Sequence, residues 1–199
     1  GRAGPRIEVI ENAVDRDHFR APTSEERQAA RERFGLQPDD LVAVTVTRLH
    51  PGKRVDRALI AAASCNARLL LVGDGPEAGR LARQLPHGSV MPGFLADPRP
   101  ALWAADFAIF VGAPAEGSPQ ALLEYAASGL AAAAFEGDVG ANLAVRLGGS
   151  ALERPDDLDL RTALGLVAAG ATTRSLTLPW ALDLWLDKWS ALYSDLASQ

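Results

Sequence analysis

The chain has 199 residues, of which 48% are hydrophobic and 23% are charged. This length and balance are typical of one α/β domain with a sizeable core and argue against a disordered segment. The net charge of −5 argues against a protein that binds nucleic acid through bulk positive charge. Cys65 is the only cysteine, which excludes an intramolecular disulfide and a cysteine-based metal site.

No apolar run approaches the roughly 20 residues of a membrane-spanning helix, and no segment resembles a signal peptide. We therefore expect a soluble, cytoplasmic protein. Only Lys53 and Lys188 are lysines, and the other basic residues are arginines. Together with the high alanine content, this usage indicates a bacterial genome rich in GC, and it makes Lys53 stand out.

In chain order, the first 40 residues are polar and rich in turn formers. They predict a short extended piece over 7–10 and an Arg/Glu-rich helix over about 24–34. Ser24 is the predicted N-cap of this helix, and Gly35 is its predicted C-terminal stop.

From residue 41 onward, apolar strands and helices alternate. The predicted strands are 41–48, 67–73, 89–93, 107–112, 130–135 and 149–153. The predicted helices are 55–64, 77–85, 98–104, the segment after Pro119, 141–147 and 156–169. Such alternation with short connections predicts a Rossmann-like, doubly wound parallel β-sheet flanked by helices.

The tail, residues 175–199, departs from this alternation. Trp185, Trp189 and Tyr193 recur with several leucines at helical spacing, which predicts an amphipathic helix. One interpretation is a helix packed on the domain's own core. The other is that part of the apolar stripe docks on something outside this chain.

The loops that leave the strands are the candidate binding segments, because ligands of open parallel sheets bind outside the carboxyl ends of the strands. The loop "TRLHPGKRVD" (47–56) brings Arg48 and Lys53 to that edge. A guanidinium offers a bidentate fork, and an ammonium a compact charge, to the oxygens of a diphosphate. From spacing alone, a solvated surface loop explains these residues equally well.

The next loop, in "LLLVGDGPEAGRL" (69–81), is a tight glycine turn. We expect Gly73 and Gly75 to let the backbone approach a ligand closely. Gly79 comes one position too late for the dinucleotide fingerprint G-x-G-x-x-G, which disfavours a nicotinamide-dependent oxidoreductase.

The segment "AEGSPQALLEYAASG" (115–129) predicts a helix with Ser118 as N-cap and Pro119 in its first turn, so that its N–H groups and dipole face the crevice. Glu116 precedes this helix, and Glu124 lies inside it among alanines and leucines. Burying a carboxylate costs several kcal/mol unless a partner compensates it. Sugar hydroxyls on either side of a phosphate explain the two carboxylates better than a structural ion pair does.

Glu116 and Glu124 together form the E-x7-E motif of retaining glycosyltransferases of the GT-B fold. The segments "VIENAVDRDHF", "TRLHPGKRVD", "LLLVGDGPE", "GFLADP" and "EGSPQALLEYAASGL" occur in the order and spacing of glycosyltransferase family 4. The chain resembles that family over nearly its whole length, but it corresponds only to the carboxyl-terminal half of the family's enzymes.

This resemblance implies a role for each matching residue. Arg48 and Lys53 would hold the diphosphate of a UDP- or GDP-sugar and neutralise the leaving group, without a metal or other cofactor. Glu124 would accept hydrogen bonds from the ribose hydroxyls, and Glu116 would orient the donor sugar. The remaining implied binding residues are Gly117, Ser118 and Pro119 at the phosphates or sugar, and the loop from Gly93 to Asp97 at the base.

The resemblance also implies a domain organisation. Residues 1–199 would be a single donor-binding domain that ends in a docking helix (175–199), with the amino-terminal acceptor domain absent. The chain would then belong to an enzyme that transfers a hexose to a glycan or lipid, and would be inactive alone. We expect no nucleic-acid partner, and membrane association only through the absent domain. A non-catalytic nucleotide-binding or regulatory module descended from such an enzyme is the alternative.

Overall fold

The structure is a computed structural model that describes residues 10–113, 117–173 and 181–197, with only the backbone described for 171–173 and 195–197. Its strands form one parallel sheet in the order β3-β2-β1-β4-β5-β6. The strands are β1 (Val42–Val46), β2 (Arg68–Val72), β3 (Val90–Gly93), β4 (Phe107–Ile109), β5 (Ala132–Phe135) and β6 (Ser150–Leu152). This order confirms the predicted Rossmann-like, doubly wound sheet.

The helices fall between these strands, as the alternation predicted. They are α1 (Ser24–Arg33), α2 (Asp56–Ser64), α3 (Ala78–Ala82), α4 (Arg99–Ala104), α5 (Gln120–Ala127), α6 (Ala141–Arg146), α7 (Leu160–Thr173) and α8 (Leu182–Ala197). Most elements are shorter than predicted by one to a few residues at their ends, where hydrogen bonding to neighbours stops. The extended piece predicted at 7–10 lies, apart from Ile10, outside the described residues.

The cap of α1 and the start of α7 differ from the sequence prediction for reasons that local hydrogen bonding explains. The N-cap of α1 is Thr23 and not Ser24, because the Thr23 hydroxyl accepts from the Glu26 N–H while the Glu26 carboxylate accepts from the Thr23 N–H. Helix α7 starts at Leu160 instead of 156, since a 3-10 turn at Pro155–Asp157 comes first. The predicted stop of α1 is confirmed by Gly35, whose φ is +66°.

The sheet is buried on both faces between two helical layers. Val42 and Val44 of β1 pack into the layer that contains α1, α4, α5 and α6. Ala43, between them, packs into the layer that contains α2 and α7. This alternation explains why β1 is apolar at successive positions instead of at every second one.

At the amino edge of the sheet, a buried arginine ties α1 to the strands. The Arg31 guanidinium donates to the carbonyl oxygen of Ala104 at 3.1 Å and to the Asp106 carboxylate at 2.8 Å. Asp106 also accepts from the Val42 N–H at 2.8 Å, so one carboxylate joins the starts of β1 and β4. These buried charges are therefore paired and hydrogen-bonded, as burial requires.

At the carboxyl edge, the turn after β2 presses against the segment after β1. A Cβ on Gly73 would lie 1.8 Å from the Thr47 carbonyl oxygen, and one on Gly75 would lie 2.3 Å from that of Leu49. The protein's own backbone thus fills the space that a Cβ on either glycine would need, and the approach of a ligand to this turn stays a prediction. The two glycines allow two loops to pack together, and the Leu49 N–H donates to the Asp74 carbonyl at 2.9 Å.

The tail helix α8 keeps much of its apolar surface exposed. Leu182, Leu184, Leu186 and Tyr193 are 40% to 64% exposed, while Trp185 and Trp189 are half-buried. Trp189 stacks on Tyr193 with ring centroids 5.7 Å apart and meets Trp185 edge to face. The start of the tail, including Leu178 and Trp180, lies outside the described residues.

Substituting Gly73 with alanine tests the packing of the two loops. We expect Gly73→Ala to lower the free energy of unfolding by more than about 2 kcal/mol, because the new methyl group overlaps the Thr47 carbonyl and φ is +140°. Gly79→Ala is the matched control: this α3 position has open space, and alanine favours a helix by up to about 1 kcal/mol over glycine. Urea unfolding of both variants measures the difference, and equal stabilities would contradict the packing explanation.

Candidate functional site

The candidate site lies at the carboxyl ends of β1 and β4, the central pair of strands. The chain proceeds from β1 to β2 on one side and from β4 to β5 on the other, so the crevice between their exits is the topological switch point. The loop carrying Arg48 and Lys53 follows β1, and helix α5 follows β4.

Tyr125 joins these two segments. Its hydroxyl accepts a hydrogen bond from the Val46 N–H at 2.8 Å, and its ring is completely buried. Burial raises the pKa of the Tyr125 phenol well above its usual range, so the hydroxyl stays protonated. Because Arg48 comes two residues after Val46, and Glu124 directly precedes Tyr125, the structure brings Arg48 and Glu124 to neighbouring segments of one edge.

The two predicted cations occupy one short loop. The Arg48 side chain is exposed, and within the described residues it makes no hydrogen bond or ion pair. Lys53 is half-buried and ends a 3-10 turn that runs from Pro51. The His50 ring fixes the start of this turn, because its Nδ1 accepts from the Gly52 N–H at 3.2 Å.

The amino end of α5 lies at the same edge, since the helix starts after the carboxyl end of β4. The predicted cap is wrong in detail: Pro119 is the N-cap residue, and it makes no side-chain cap hydrogen bond. Ser118 therefore lies before the helix, where its carbonyl accepts from the Asn12 side chain at 3.3 Å. The Leu122 N–H donates to the Pro119 carbonyl at 3.1 Å. The N–H groups of Gln120 and Ala121 belong to the helix amino end, which is a common binding site for anions.

Glu124 is a half-buried carboxylate inside this helix. Burial raises its pKa, and the positive charge of nearby His18 partly opposes the shift. Across the described part of the chain, no donor makes a hydrogen bond to the Glu124 carboxylate. A charged group placed like this costs stability, so a ligand that donates hydrogen bonds to it would satisfy a need that the described protein groups leave unmet.

The loop from Gly93 to Asp97 follows β3, farther along the same edge. Gly93 has a φ of +84°, and its carbonyl accepts from the Gly73 N–H at 2.9 Å. Asp97 forms a two-pronged ion pair with Arg99, which lowers the pKa of the Asp97 carboxyl. The Asp97 side chain is therefore engaged within its own loop.

Phe94 is the residue that sequence reasoning missed. Its side chain is 74% exposed, although phenylalanine is strongly apolar. The signal was available, because an aromatic residue directly follows Gly93 where β3 ends. An exposed ring at a sheet edge can stack on a flat heterocycle.

The predicted residues thus fall into three groups. The structure brings Arg48, Lys53 and Glu124 to the switch point, together with the segment 117–119. Gly93 and Asp97 lie at the end of β3, two strands away from β1. Glu116, the first carboxylate of the E-x7-E pair, lies outside the described residues.

The described residues contain neither a cluster of metal-binding side chains nor a membrane-spanning helix. No group of three or more His, Cys, Asp or Glu side chains in 10–113, 117–173 and 181–197 is arranged to hold a metal ion. No helix in the same ranges has the length and apolarity needed to cross a membrane.

Solved structures with the same fold include glycosyltransferases. Anabaena Alr3699/HepE, solved in complex with UDP-glucose, has a TM-score of 0.78 at 18% identity over 94% of this chain and 57% of that one. WaaG, a glycosyltransferase involved in lipopolysaccharide biosynthesis, has a TM-score of 0.67 at 20% identity over 84% of this chain and 50% of that one. At these identities the likeness shows the fold, which is the Rossmann-like half of GT-B glycosyltransferases.

The amino-acid sequence is similar to curated glycosyltransferases and matches one family model. The D-inositol 3-phosphate glycosyltransferase of Mycobacterium marinum is 38% identical over 82 residues, which is 41% of this chain and 17% of that protein. This chain therefore spans only a part of the curated relatives it matches. Residues 40–164, more than half of the chain, match the family model described as glycosyl transferases group 1. The chain belongs to the group 1 glycosyltransferase family.

Proposed function

We propose that this chain is the donor-binding domain of a retaining glycosyltransferase that transfers a hexose from a UDP-sugar or a GDP-sugar. The observation that carries the proposal is the half-buried Glu124 carboxylate, which accepts no hydrogen bond from the described residues. It lies in α5, the helix that the Tyr125 hydroxyl joins to the segment directly before the Arg48 loop. The UDP complexes of HepE favour UDP as the nucleotide to test first.

In this proposal the cations bind the diphosphate. Arg48 supplies a bidentate fork and Lys53 a compact charge, and both stabilise the negative charge that builds up as the nucleoside diphosphate leaves. The N–H groups at the start of α5, with the backbone of Gly117, Ser118 and Pro119, complete the anion site. We propose that no metal is needed, because these fixed positive groups neutralise the leaving group.

The carboxylates and the β3 loop bind the rest of the donor. Glu124 accepts hydrogen bonds from the two ribose hydroxyls, and Glu116 orients the sugar. The base lies against the loop from Gly93 to Asp97, where the Phe94 ring stacks on it and the Asp97–Arg99 pair holds the loop in shape. Base stacking on an aromatic residue is worth about 1–3 kcal/mol.

The remainder of the enzyme is proposed to be an amino-terminal domain that carries the acceptor. This chain spans 57% of HepE and 50% of WaaG, so an enzyme of that kind has a second part of comparable size. We propose that α8 docks its apolar stripe on that part and that the present chain binds the donor without transferring the sugar. The lysine-poor, alanine-rich composition suits a bacterial enzyme, and we propose that it is cytoplasmic.

Titration with UDP and GDP tests the donor site. We expect the chain to bind one of them, and Arg48→Ala and Glu124→Gln each to weaken binding about tenfold or more, since a hydrogen bond to a charged group contributes about 1.5–3 kcal/mol. Isothermal calorimetry gives the affinities directly. Arg83→Ala and Glu32→Gln, which change an exposed arginine and an exposed glutamate outside the site, serve as matched controls.

The outcomes separate clearly. A chain that binds neither nucleotide lacks the proposed activity. Binding that both site variants leave intact would mean that the nucleotide occupies a different place.

The pH dependence of stability tests the electrostatic state of Glu124. Its folded pKa is raised, so the folded state binds the proton more tightly than the unfolded state does. Stability from this group is therefore present below its unfolded pKa, near the usual value of 4.5, and is lost as pH rises through the folded pKa. At neutral pH the ionised carboxylate destabilises the domain.

We therefore expect Glu124→Gln to raise the melting temperature at pH 7 by about 1–3 °C, since 1 kcal/mol corresponds to about 2–4 °C for a domain of this size. The gain should shrink as pH falls toward 4.5, because the wild-type carboxyl then becomes neutral as well. Thermal unfolding monitored by circular dichroism at several pH values measures this, with Glu32→Gln as the control. A loss of stability at pH 7 would show that the carboxylate has a stabilising partner.

A further inference from the structure

Asp138 is a buried carboxylate that the proposed donor site does not use. It lies between β5 and α6, and its side chain is 1% exposed. The Arg54 guanidinium donates to one carboxylate oxygen at 2.9 Å, and that of Arg57 donates to the other. The Gly112 N–H, just beyond β4, donates at 3.3 Å. One carboxylate thus joins the chain segments that leave β1, β4 and β5.

Neutralising Asp138 requires only one of these arginines. The Arg57 side chain is 12% exposed and lies over the Phe135 ring, 4.6 Å from its centroid, so it is held in place beside the carboxylate. Arg54, in contrast, is half exposed and brings a second positive charge to a single negative one. Charge balance therefore does not explain Arg54.

The backbone of Arg54 is also unusual. Its φ is 49° and its ψ is 50°, in the left-handed region that costs a residue with a side chain roughly 1 kcal/mol or more. Such a conformation persists where neighbouring contacts impose it. Arg54 directly follows Lys53 and terminates the 3-10 turn, so its ion pair with Asp138 fixes the turn from which Lys53 extends.

We infer that Asp138 is a positioning residue that acts through Arg54 to hold Lys53 toward the diphosphate of the donor. This inference depends on the proposed function, since it assigns Lys53 a phosphate to bind. The ion pair keeps the Lys53 backbone in one place, and the ammonium group then loses less freedom when the phosphate binds.

Arg54→Gly is the sharpest variant, because glycine adopts a positive φ without strain while Asp138 remains paired with Arg57. We expect its melting temperature to stay close to that of the wild type. Its affinity for UDP should fall about fivefold, which corresponds to about 1 kcal/mol. Its affinity for uridine, which has no phosphate, should be unchanged. If the wild type binds GDP instead, GDP and guanosine replace this pair.

A double-mutant cycle with Lys53→Ala distinguishes the positioning of Lys53 from a general loss of stability. We expect Lys53→Ala to weaken UDP binding less in the Arg54→Gly background than in the wild type, because Lys53 is already displaced there. Asp138→Asn should reproduce the same selective loss, although it also leaves two arginines without a charge partner. Arg83→Ala is the control for the loss of an exposed arginine.

The inference and the function on which it depends fail in different ways. A wild-type chain that binds no nucleotide overturns the proposed function and this inference together. A wild type that binds UDP and is weakened by Lys53→Ala, beside an Arg54→Gly variant that binds like the wild type, overturns the positioning role alone.

Discussion

The hydrogen bond between the Val46 N–H and the Tyr125 hydroxyl holds the exit of β1 against α5, and the candidate site depends on this junction. Two further contacts fix the chain beyond it. The glycine turn after β2 packs against Thr47 and Leu49, and Asp138 binds Arg54. Three contacts therefore fix the loop that carries Arg48 and Lys53: the Tyr125 hydrogen bond, the packing of the glycine turn, and the Asp138–Arg54 ion pair. A loop held in this way can present two cations with little loss of conformational freedom on binding.

The charged groups at the amino edge of the sheet are paired with each other, whereas Glu124 and Arg48 at its carboxyl edge make no ion pair within the described residues. At the amino edge, Arg31 and Asp106 form an ion pair, and both also hydrogen-bond to the backbone. These charges stabilise the fold and leave neither side chain free for a ligand. At the carboxyl edge, Glu124 is half-buried with a raised pKa, and Arg48 extends into solvent. Proteins keep such unfavourable groups mainly where a ligand completes them. The candidate site is therefore marked by Glu124 and Arg48, two charged side chains that make no hydrogen bond within the described residues.

Much of the fold could be predicted because the sheet depends on patterns that are local in sequence. Apolar runs such as 67–73 and 130–135 predict buried strands regardless of their neighbours, and the alternation then predicts the topology. Contacts between distant residues could not be predicted this way. The overlap of Gly73 with Thr47 and the pairing of Asp138 with Arg54 depend on how two loops meet in space. The sequence identified Arg48, Lys53 and Glu124 as candidates, but it did not show the contacts that position them.

Helix α8 is the part of the structure that the domain's own packing explains least. Leu182, Leu186 and Tyr193 remain exposed, and the buried Trp189 Nε1 has no hydrogen-bond partner among the described residues. Three aspartates and one lysine accompany this stripe, so the helix lacks the positive charge that attracts an anionic membrane surface. The exposed apolar side chains therefore fit the surface of a protein better than that of a membrane. If a second part of the enzyme covers α8, as proposed, it would also contact Asp15, Arg16 and Arg20, which line the same hollow as Leu182 and Leu186.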